Sequence, residues 1–509
     1  MKSIIKIRRF ILFVVFGLLS FLQSGCKHES ESQEAQTITV DVALRELIPT
    51  NGLTGDPTQG RDLPDIASPL AQLGMDLFFS KALGGDMNVA CVACHHPVLG
   101  GGDGLSLPVG VDAEVPDLLG IGRIHSALGE NYDGGPTVPR NAPTTFNIGL
   151  WDKVMFHDGR IESIGGTPGK NGADGQGIRT PESPFGTADP DSGGNLVIAQ
   201  ARFPVTSAEE MKDFGVMAGT TNAQVRTALQ QRLGDYGTPP GGALPVNQWL
   251  PLFQSAFQQP TANAETLITF DNIVLAIGAY ERSQVFVNTP WKRYVEGNNK
   301  ALSESAKRGA LLFFASEEQG GAACSACHSG DFFTDESFHV VAMPQIGRGK
   351  GNGTYGDDDF GRYRETGEDA DRYAFRTPSL LNVAVTGPWG HAGAYTSLEN
   401  TVRHHLNPQL ALDNYDWGQI DSNIQVDNML ANTQLAVDAL ESNRLAGRFS
   451  LQNIELNDEQ INDLVNFLHA LTDSCVATPQ CIHQWVPASN RLDPDELRLD
   501  AIDQNNNLL

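Results

Sequence analysis

The chain has 509 residues, enough to bury roughly two or three hydrophobic cores. It carries 61 acidic and 35 basic residues, which gives a net charge of −26 at pH 7. Such a charge repels nucleic acid and attracts basic proteins. The composition therefore argues against a nucleic-acid partner.

The N-terminus has the pattern of an export signal. Basic residues precede an apolar run from Phe10 to Leu22 that is too short to span a bilayer, so we predict a signal peptide over residues 1–25. Cys26 follows two small residues and is predicted to carry a lipid; the alternative is ordinary cleavage nearby. We expect a tether over residues 26–64, a location in the periplasm or cell envelope, and membrane contact only through the lipid.

Two Cys-x-x-Cys-His motifs follow, at residues 91–95 and 324–328. This spacing attaches c-type haem covalently, with both thiols bonded to the porphyrin and the histidine bound to iron. Each motif begins 10 to 12 residues after a Gly-x-x-Leu-Phe-Phe segment, which indicates two related halves with one haem c each. The predicted haem-binding residues are Cys91, Cys94, His95, Cys324, Cys327 and His328.

The segments before the two motifs carry matching helix signals. Ser68, followed by proline, predicts a helix that runs to Phe79, and Ser303 has the same position before the second motif. Residues 100–135 and 165–194 are rich in turn-forming residues without periodicity, so we expect long loops there.

Further helices are predicted toward the end of each half. Apolar residues at spacings of three and four predict a helix over residues 266–282, with a hinge at 288–300. Asn457 is expected to cap an amphipathic helix near the end of the second half. Cys475 and Cys481 remain as a pair, and a disulfide between them would suit an oxidising compartment.

The fold class follows from these elements. No run alternates with the period of a strand, so the fold is predicted to be mainly α. Two cytochrome c-like haem domains, residues 65–290 and 300–475, are expected to pack face to face with long loops. Residues 476–509 are predicted to form an acidic surface tail.

Several blocks resemble the bacterial dihaem cytochrome c peroxidase family, which includes the MauG-type enzymes that oxidise residues of a partner protein. The resemblance covers roughly residues 65 to 475, and its blocks are residues 140–144, 156–160, 200–211, 377–382 and 391–393. Phe-His-Asp-Gly-Arg at 156–160 and the His404-His405-Leu406 run are closer to the MbnH subgroup, whose members oxidise a tryptophan on a copper-related partner.

The resemblance implies a polar pair, Gln200 and Glu210, over the first haem. Cleavage of the O–O bond needs a proton moved from the inner to the outer peroxide oxygen, which a positioned carboxylate can do. The alternative is that Glu210 is an ordinary helix-start carboxylate beside Glu209.

The resemblance also implies a calcium ion between the haems. Asn141, Thr386 and Pro388 match the family's site, the latter two through backbone carbonyls, and hard oxygen ligands suit Ca²⁺. The alternative for Asn141 is a structural residue in an Asn-x-Pro turn.

The sixth ligand of the second haem is expected at His405, 17 residues past Pro388, where other members have methionine or tyrosine. A one-residue slip would give this position to His404. Histidine donates to ferric iron more strongly than a thioether, so a lower reduction potential is expected.

Two departures from the family concern the first haem. His157 replaces the tryptophan between the haems and is much harder to oxidise. Classical members carry a removable distal histidine, for which His125 is a possibility, although we expect it to be a loop histidine above a permanently open haem.

The resemblance thus implies an enzyme that reacts with hydrogen peroxide at the N-terminal haem. It would then oxidise a partner protein or take electrons from a small cytochrome or copper protein. One alternative is a cytochrome c peroxidase purely for peroxide detoxification. The other is a non-enzymatic dihaem electron carrier, which would need a strong sixth ligand on the first haem.

Overall fold

The computed structural model describes residues 40–509, so the predicted signal peptide and Cys26 lie outside the described residues. Helices dominate the described chain, as predicted. They are α1 (residues 40–50), α2 (Pro69–Phe79), α3 (Leu196–Ala201), α4 (Asn222–Gly234), α5 (Trp249–Ala256), α6 (Ala264–Leu267), α7 (Phe270–Arg282), α8 (Pro290–Val295), α9 (Glu304–Phe314), α10 (Tyr363–Thr366), α11 (Leu398–Leu406), α12 (Pro408–Asp413), α13 (Met429–Leu445), α14 (Asp458–His469) and α15 (Pro479–Ile482).

The strands are short. β1 (Val154–Met155), β2 (Ile161–Ser163) and β3 (Ile178–Arg179) form an antiparallel sheet in that order, and β4 (Phe338–Val340) pairs antiparallel with β5 (Ala374–Arg376). Among residues 40–509 there is no helix long and apolar enough to cross a membrane.

The helices before the two haem motifs begin where the sequence predicts. The Ser68 side chain accepts a hydrogen bond from the Ala71 N–H at the start of α2, and α2 ends at Phe79. Ser303 accepts from the Ala306 N–H at the start of α9. These caps satisfy backbone donors that helix ends otherwise leave open.

The two halves contain the same helix pair, α2 on α7 and α9 on α14. A Cβ atom on Gly74 of α2 would lie 1.9 Å from the carbonyl oxygen of Ala276 in α7. On Gly309 of α9 it would lie 1.9 Å from the carbonyl oxygen of Asp463 in α14. In each pair the helix backbones meet at the glycine of the Gly-x-x-Leu-Phe-Phe segment, as expected for two related halves.

Two predicted segments differ in the structure. The helix expected over residues 266–282 is broken, because the Thr269 side chain accepts from the Asn272 N–H and caps α7 separately from α6. Threonine competes for such N–H groups and therefore favours caps over helix interiors. The expected hinge at 288–300 contains α8, with Trp291 buried.

Both ends of the described chain pack on the opposite half. In the segment predicted as a tether, Leu44 and Ile48 of α1 join the core around α9 and α14. The Asp41 carboxylate accepts from the Tyr294 hydroxyl at 2.7 Å and pairs with Lys307 at 3.0 Å. The prediction of a tether up to residue 64 is therefore wrong from residue 40 onward.

The C-terminal segment is not a surface tail either. Trp485 and Leu499 are buried in the core around α2 and α7. The Asp495 carboxylate accepts from the Ser80 hydroxyl at 2.7 Å and from the Trp249 indole at 2.9 Å. A few large apolar side chains are enough to pack this acidic segment onto the core around α2 and α7. The predicted disulfide between Cys475 and Cys481 is present.

The close helix contact predicts a strong effect of Gly309→Ala. The added methyl group would meet the Asp463 carbonyl, so the helices must separate, at a cost of about 1–3 kcal/mol. Thermal unfolding followed by circular dichroism should show a lower melting temperature. Gly194→Ala is the control, because that Cβ would meet nothing within 4 Å. Equal melting temperatures for the two variants would contradict the packing described here.

Candidate functional site

Each haem motif presents its histidine in the same way. Nδ1 of His95 lies 3.3 Å from the carbonyl oxygen of Gly101. Nδ1 of His328 lies 3.2 Å from the carbonyl oxygen of Phe333 and 3.1 Å from that of Pro378. A carbonyl can only accept, so Nδ1 carries the proton and Nε2 is left with its lone pair. This is the arrangement of an iron-binding histidine.

An open cavity with about 1020 Å³ of empty space adjoins the first motif. Its lining includes Cys91, Cys94 and His95 together with Gln200 and Glu210. The structure thus brings the predicted haem attachment residues and the predicted distal pair into one cavity.

Glu210 is held by an unusual turn. It lies in a π-helical segment, Ala208–Lys212, a distortion frequent at functional sites. Burial raises the pKa of its carboxyl group, and the neighbouring Glu209 adds to this, whereas Arg160 and Lys350 oppose it. A carboxyl group with a raised pKa is suited to both giving and taking a proton near neutral pH.

The cavity has a basic wall that sequence reasoning did not find. Arg160 lies over the Phe156 ring at 3.5 Å, and Lys350 comes from the glycine-rich loop of the second half. Burial lowers the pKa of Lys350, as do the nearby Arg140 and Arg160. Within residues 40–509, no carboxylate lies within ion-pair distance of the Lys350 ammonium group. Arg160 belongs to the block at residues 156–160 that resembles the family, whereas Lys350 lies in no motif of the sequence.

A second buried carboxyl group lines the cavity. Glu281, near the end of α7, is 5 % exposed, and its Oε2 has no hydrogen-bond partner among the described residues. Burial raises the pKa of Glu281 to about 8, so the group is protonated at neutral pH. The sequence offered no signal for this residue, since it stands in an ordinary amphipathic helix.

Asn141 lies where carbonyl oxygens converge. Its side-chain nitrogen is 3.1 Å from the carbonyl oxygens of Leu105 and Ser106 and 3.2 Å from that of Pro388. Thr386 lies two residues before Pro388, and its hydroxyl donates to Val383. Carbonyl oxygens, the ligand type that calcium prefers, thus gather around Asn141, where the amide nitrogen donates to them.

His157 connects this region to the first cavity. It lines the cavity, and its Nε2 lies 3.0 Å from the carbonyl oxygen of Asn141. Burial lowers the pKa of His157 to about 3, with Arg140 and Arg376 adding to the shift, so the ring is neutral. The imidazole therefore donates to Asn141 at the position where the family has tryptophan.

His404 and His405 differ in which ring nitrogens are engaged. Nε2 of the fully buried His404 lies 2.8 Å from the carbonyl oxygen of Val341, and its Nδ1 lies 2.9 Å from the Tyr395 hydroxyl. Nδ1 of His405 lies 2.8 Å from the carbonyl oxygen of Thr401. Its Nε2 has no hydrogen-bond partner in the described chain, and His405 is close enough to His328 to influence its pKa.

His125 does not reach the first cavity. It is buried in its own loop, with Nδ1 2.9 Å from the Ser126 carbonyl oxygen and its ring stacked on Tyr132 at 5.6 Å. The histidines lining the cavity are His95 and His157, and Nε2 of His157 is engaged by Asn141.

Two haem attachment motifs on a duplicated helix pair, with a carboxyl group and an amide facing one of them, define a dihaem c-type oxidoreductase.

Comparison with known proteins agrees with this class of protein. The family model described as di-haem cytochrome c peroxidase matches residues 68–300. The methylamine utilization protein MauG of Methylorubrum extorquens is 29% identical over 337 residues, which cover 66% of this chain and 67% of MauG. The cytochrome c551 peroxidase of Pseudomonas aeruginosa is 26% identical over 348 residues, covering 68% and 74%.

Two solved structures share the fold. One is a MauG-like protein associated with microbial copper homeostasis, with a TM-score of 0.52 and 20% identity, covering 86% of this chain and 97% of the other. The second is the diheme peroxidase BthA from Burkholderia thailandensis, with a TM-score of 0.50 and 18% identity, covering 86% and 92%. The chain is therefore similar to dihaem cytochrome c peroxidases and to MauG, over residues 68–300 for the family model and over about two thirds of its length for these relatives. It is a peroxide-dependent oxidoreductase with two haem c groups.

Proposed function

We propose that this protein reacts with hydrogen peroxide at the first haem and uses the oxidising equivalents on a partner protein, as MauG-like enzymes of the MbnH subgroup do. One observation carries the proposal: Gln200 and Glu210 line the same cavity as Cys91, Cys94 and His95.

The residues around the first haem have separate roles in this proposal. Cys91 and Cys94 would hold the haem and Nε2 of His95 would bind its iron, and the haem would supply the redox chemistry. Glu210 takes a proton from the inner peroxide oxygen and gives it to the outer one, which leaves as water. Gln200 orients the peroxide by hydrogen bonding. Arg160 and Lys350 would pair with the haem propionates. Both side chains line the cavity in which this haem would lie.

His328 and His405 would be the two iron ligands of the second haem. The free Nε2 of His405 favours it over His404, whose nitrogens are both engaged. With both imidazoles bound, this haem would exchange electrons and would leave no position for peroxide. The second haem would therefore store or relay oxidising equivalents.

Oxidation of a partner is favoured over detoxification for two reasons. His125 lies outside the first cavity, so no histidine needs to leave before peroxide enters. A haem with two histidine ligands also has a lower potential than one with methionine, which stabilises its oxidised state. The partner would be a small cytochrome, a copper protein or a modified substrate protein, and the chain's acidity favours a basic one.

Asn141, Pro388 and Thr386 would hold one Ca²⁺ between the haems, through the Asn141 side chain and backbone carbonyls. The location would be the periplasm or cell envelope, with a lipid on Cys26. Covalent haem and the Cys475–Cys481 disulfide both suit an oxidising compartment outside the cytoplasm.

The proposal predicts that the diferric protein reacts with one equivalent of hydrogen peroxide without prior reduction. Optical and electron paramagnetic resonance (EPR) spectra should show prompt loss of a high-spin ferric signal. Glu210→Gln should slow this reaction by about 10²–10⁴-fold, since an amide cannot relay the proton, while both haems stay attached.

Glu209→Gln is the comparison and should slow the reaction far less, because Glu209 does not line the cavity and acts only through the pKa of Glu210. Unchanged reactivity of Glu210→Gln would remove that residue from the mechanism. Reaction only after one haem is reduced would indicate a conventional detoxifying peroxidase. An entirely low-spin protein that ignores peroxide would indicate an electron carrier.

The ligand assignment predicts that His405→Met raises the reduction potential of the second haem, because a thioether donates less to ferric iron. Spectroelectrochemical titration measures this change. His404→Gln is the comparison and should leave that potential and the low-spin EPR signal nearly unchanged. The opposite pattern would assign the iron to His404.

The calcium assignment predicts that Asn141→Ala loses bound Ca²⁺, because one oxygen ligand is removed. Elemental analysis of the purified holoprotein measures the metal content. Asn131→Ala, which alters an exposed loop asparagine, should retain the ion. A wild-type protein without calcium would refute the assignment.

A further inference from the structure

A continuous series of aromatic rings leads away from the proposed iron ligand His405. The His405 and His404 ring centroids are 6.1 Å apart, and those of His404 and Tyr395 are 5.3 Å apart. Tyr395 lies 5.5 Å from Tyr415, which in turn lies 5.4 Å from Trp417. Each separation is within the range of direct ring contact.

The series runs from the interior to the surface. Tyr395 is 2 % exposed and Tyr415 is 7 % exposed, whereas Trp417 is 45 % exposed. Of the six tryptophans, all within residues 40–509, Trp417 alone is exposed; the others are buried or half-buried. An easily oxidised ring thus ends the series at the place where another protein could touch it.

The hydrogen bonds around Tyr395 suit its oxidation. Nε2 of His404 faces the Val341 carbonyl oxygen at 2.8 Å and must donate to it, so Nδ1 is an acceptor. The Tyr395 hydroxyl therefore donates to Nδ1 of His404 at 2.9 Å. The hydroxyl hydrogen of Tyr395 is thus held by an imidazole lone pair, and a hydrogen-bonded phenol gives up an electron more readily than a free one.

Tyr415 is placed differently. Its hydroxyl donates to the carbonyl oxygen of Ala394, which cannot take up a proton. Tyr415 therefore serves as a contact between Tyr395 and Trp417. It is a poor site for a lasting radical.

We propose that Trp417 is the exit through which oxidising equivalents leave the second haem, a statement that rests on the function proposed above. Tyr395 gives one electron toward the second haem while its hydroxyl hydrogen stays in the hydrogen bond to Nδ1 of His404. Trp417 then supplies one electron through Tyr415 and so restores Tyr395. Trp417, now an indole radical cation, regains its electron from a group on the partner protein.

The electrons balance over two such passages. One hydrogen peroxide takes up two electrons and two protons to give two waters. Each passage delivers one electron inward, so two one-electron oxidations of the partner restore the resting protein. The partner must therefore offer an oxidisable group, such as an aromatic side chain or a redox metal, within contact of Trp417.

The test uses the holoprotein with both haems, prepared with ring-deuterated tryptophan and mixed with one equivalent of hydrogen peroxide in the absence of a partner. Rapid freezing and EPR should show an organic radical whose hyperfine structure depends on the tryptophan label. Trp417→Phe should lose this signal, because the phenylalanine ring is much harder to oxidise than the indole. Trp417→Tyr should replace it with a tyrosyl signal.

Peroxide-dependent oxygen addition to Trp417, mapped by peptide mass spectrometry, gives a second readout. Tyr355→Phe is the control, because Tyr355 is an exposed aromatic residue outside the series, and it should behave as the wild type does. If Trp417→Phe keeps the indole radical while peroxide still reacts, the exit is elsewhere and the proposed function stands. If the haem spectra do not respond to peroxide at all, the proposed function fails and the exit fails with it.

Discussion

The close contact of helix backbones at Gly74 and at Gly309 is the constraint on which the rest of the structure depends. In each half a carbonyl oxygen of the partner helix occupies the place where a side chain would stand. The first helix of each pair then leads, 10 to 12 residues further along the chain, to the turn that carries two cysteines and a histidine. Haem position in both halves is therefore set by the same helix packing, and the halves can differ in everything that faces the other side of the iron.

The first cavity belongs to both halves of the chain. Arg140 from the first half pairs with Asp158 at 2.5 Å and with Asp359 of the second half at 2.6 Å. Burial alone would raise the pKa of the Asp359 carboxyl group, but the Arg140 guanidinium lowers this pKa to about 2. Removing one member of such a buried cluster would leave an unpaired charge, which is far more costly than losing a surface ion pair. Lys350 of the second half also lines this cavity. In addition, each end of the described chain packs in the core of the other half.

In the proposed function, the two haem sites differ in the side chains that would face the iron. The first cavity offers a carboxyl group with a raised pKa and no histidine free to bind the distal side. The second site offers His405 with Nε2 free. On this proposal, peroxide chemistry stays at one haem and electron exchange at the other. The aromatic series from His404 to Trp417 leads from the proposed ligand His405 to the surface.

The sequence by itself determined what depends on neighbouring residues along the chain. The haem motifs, the caps at Ser68 and Ser303 and the Cys475–Cys481 pair could all be found from spacing, because each involves groups a few positions apart. Resemblance added Gln200 and Glu210, which stand in conspicuous blocks. Only the tertiary structure revealed Lys350 in the cavity wall, the buried Glu281, the exchanged chain ends and the free nitrogen of His405. Their environments are formed by contacts between residues more than a hundred positions apart, or by hydrogen bonds that depend on how a helix is rotated, and no local pattern encodes either.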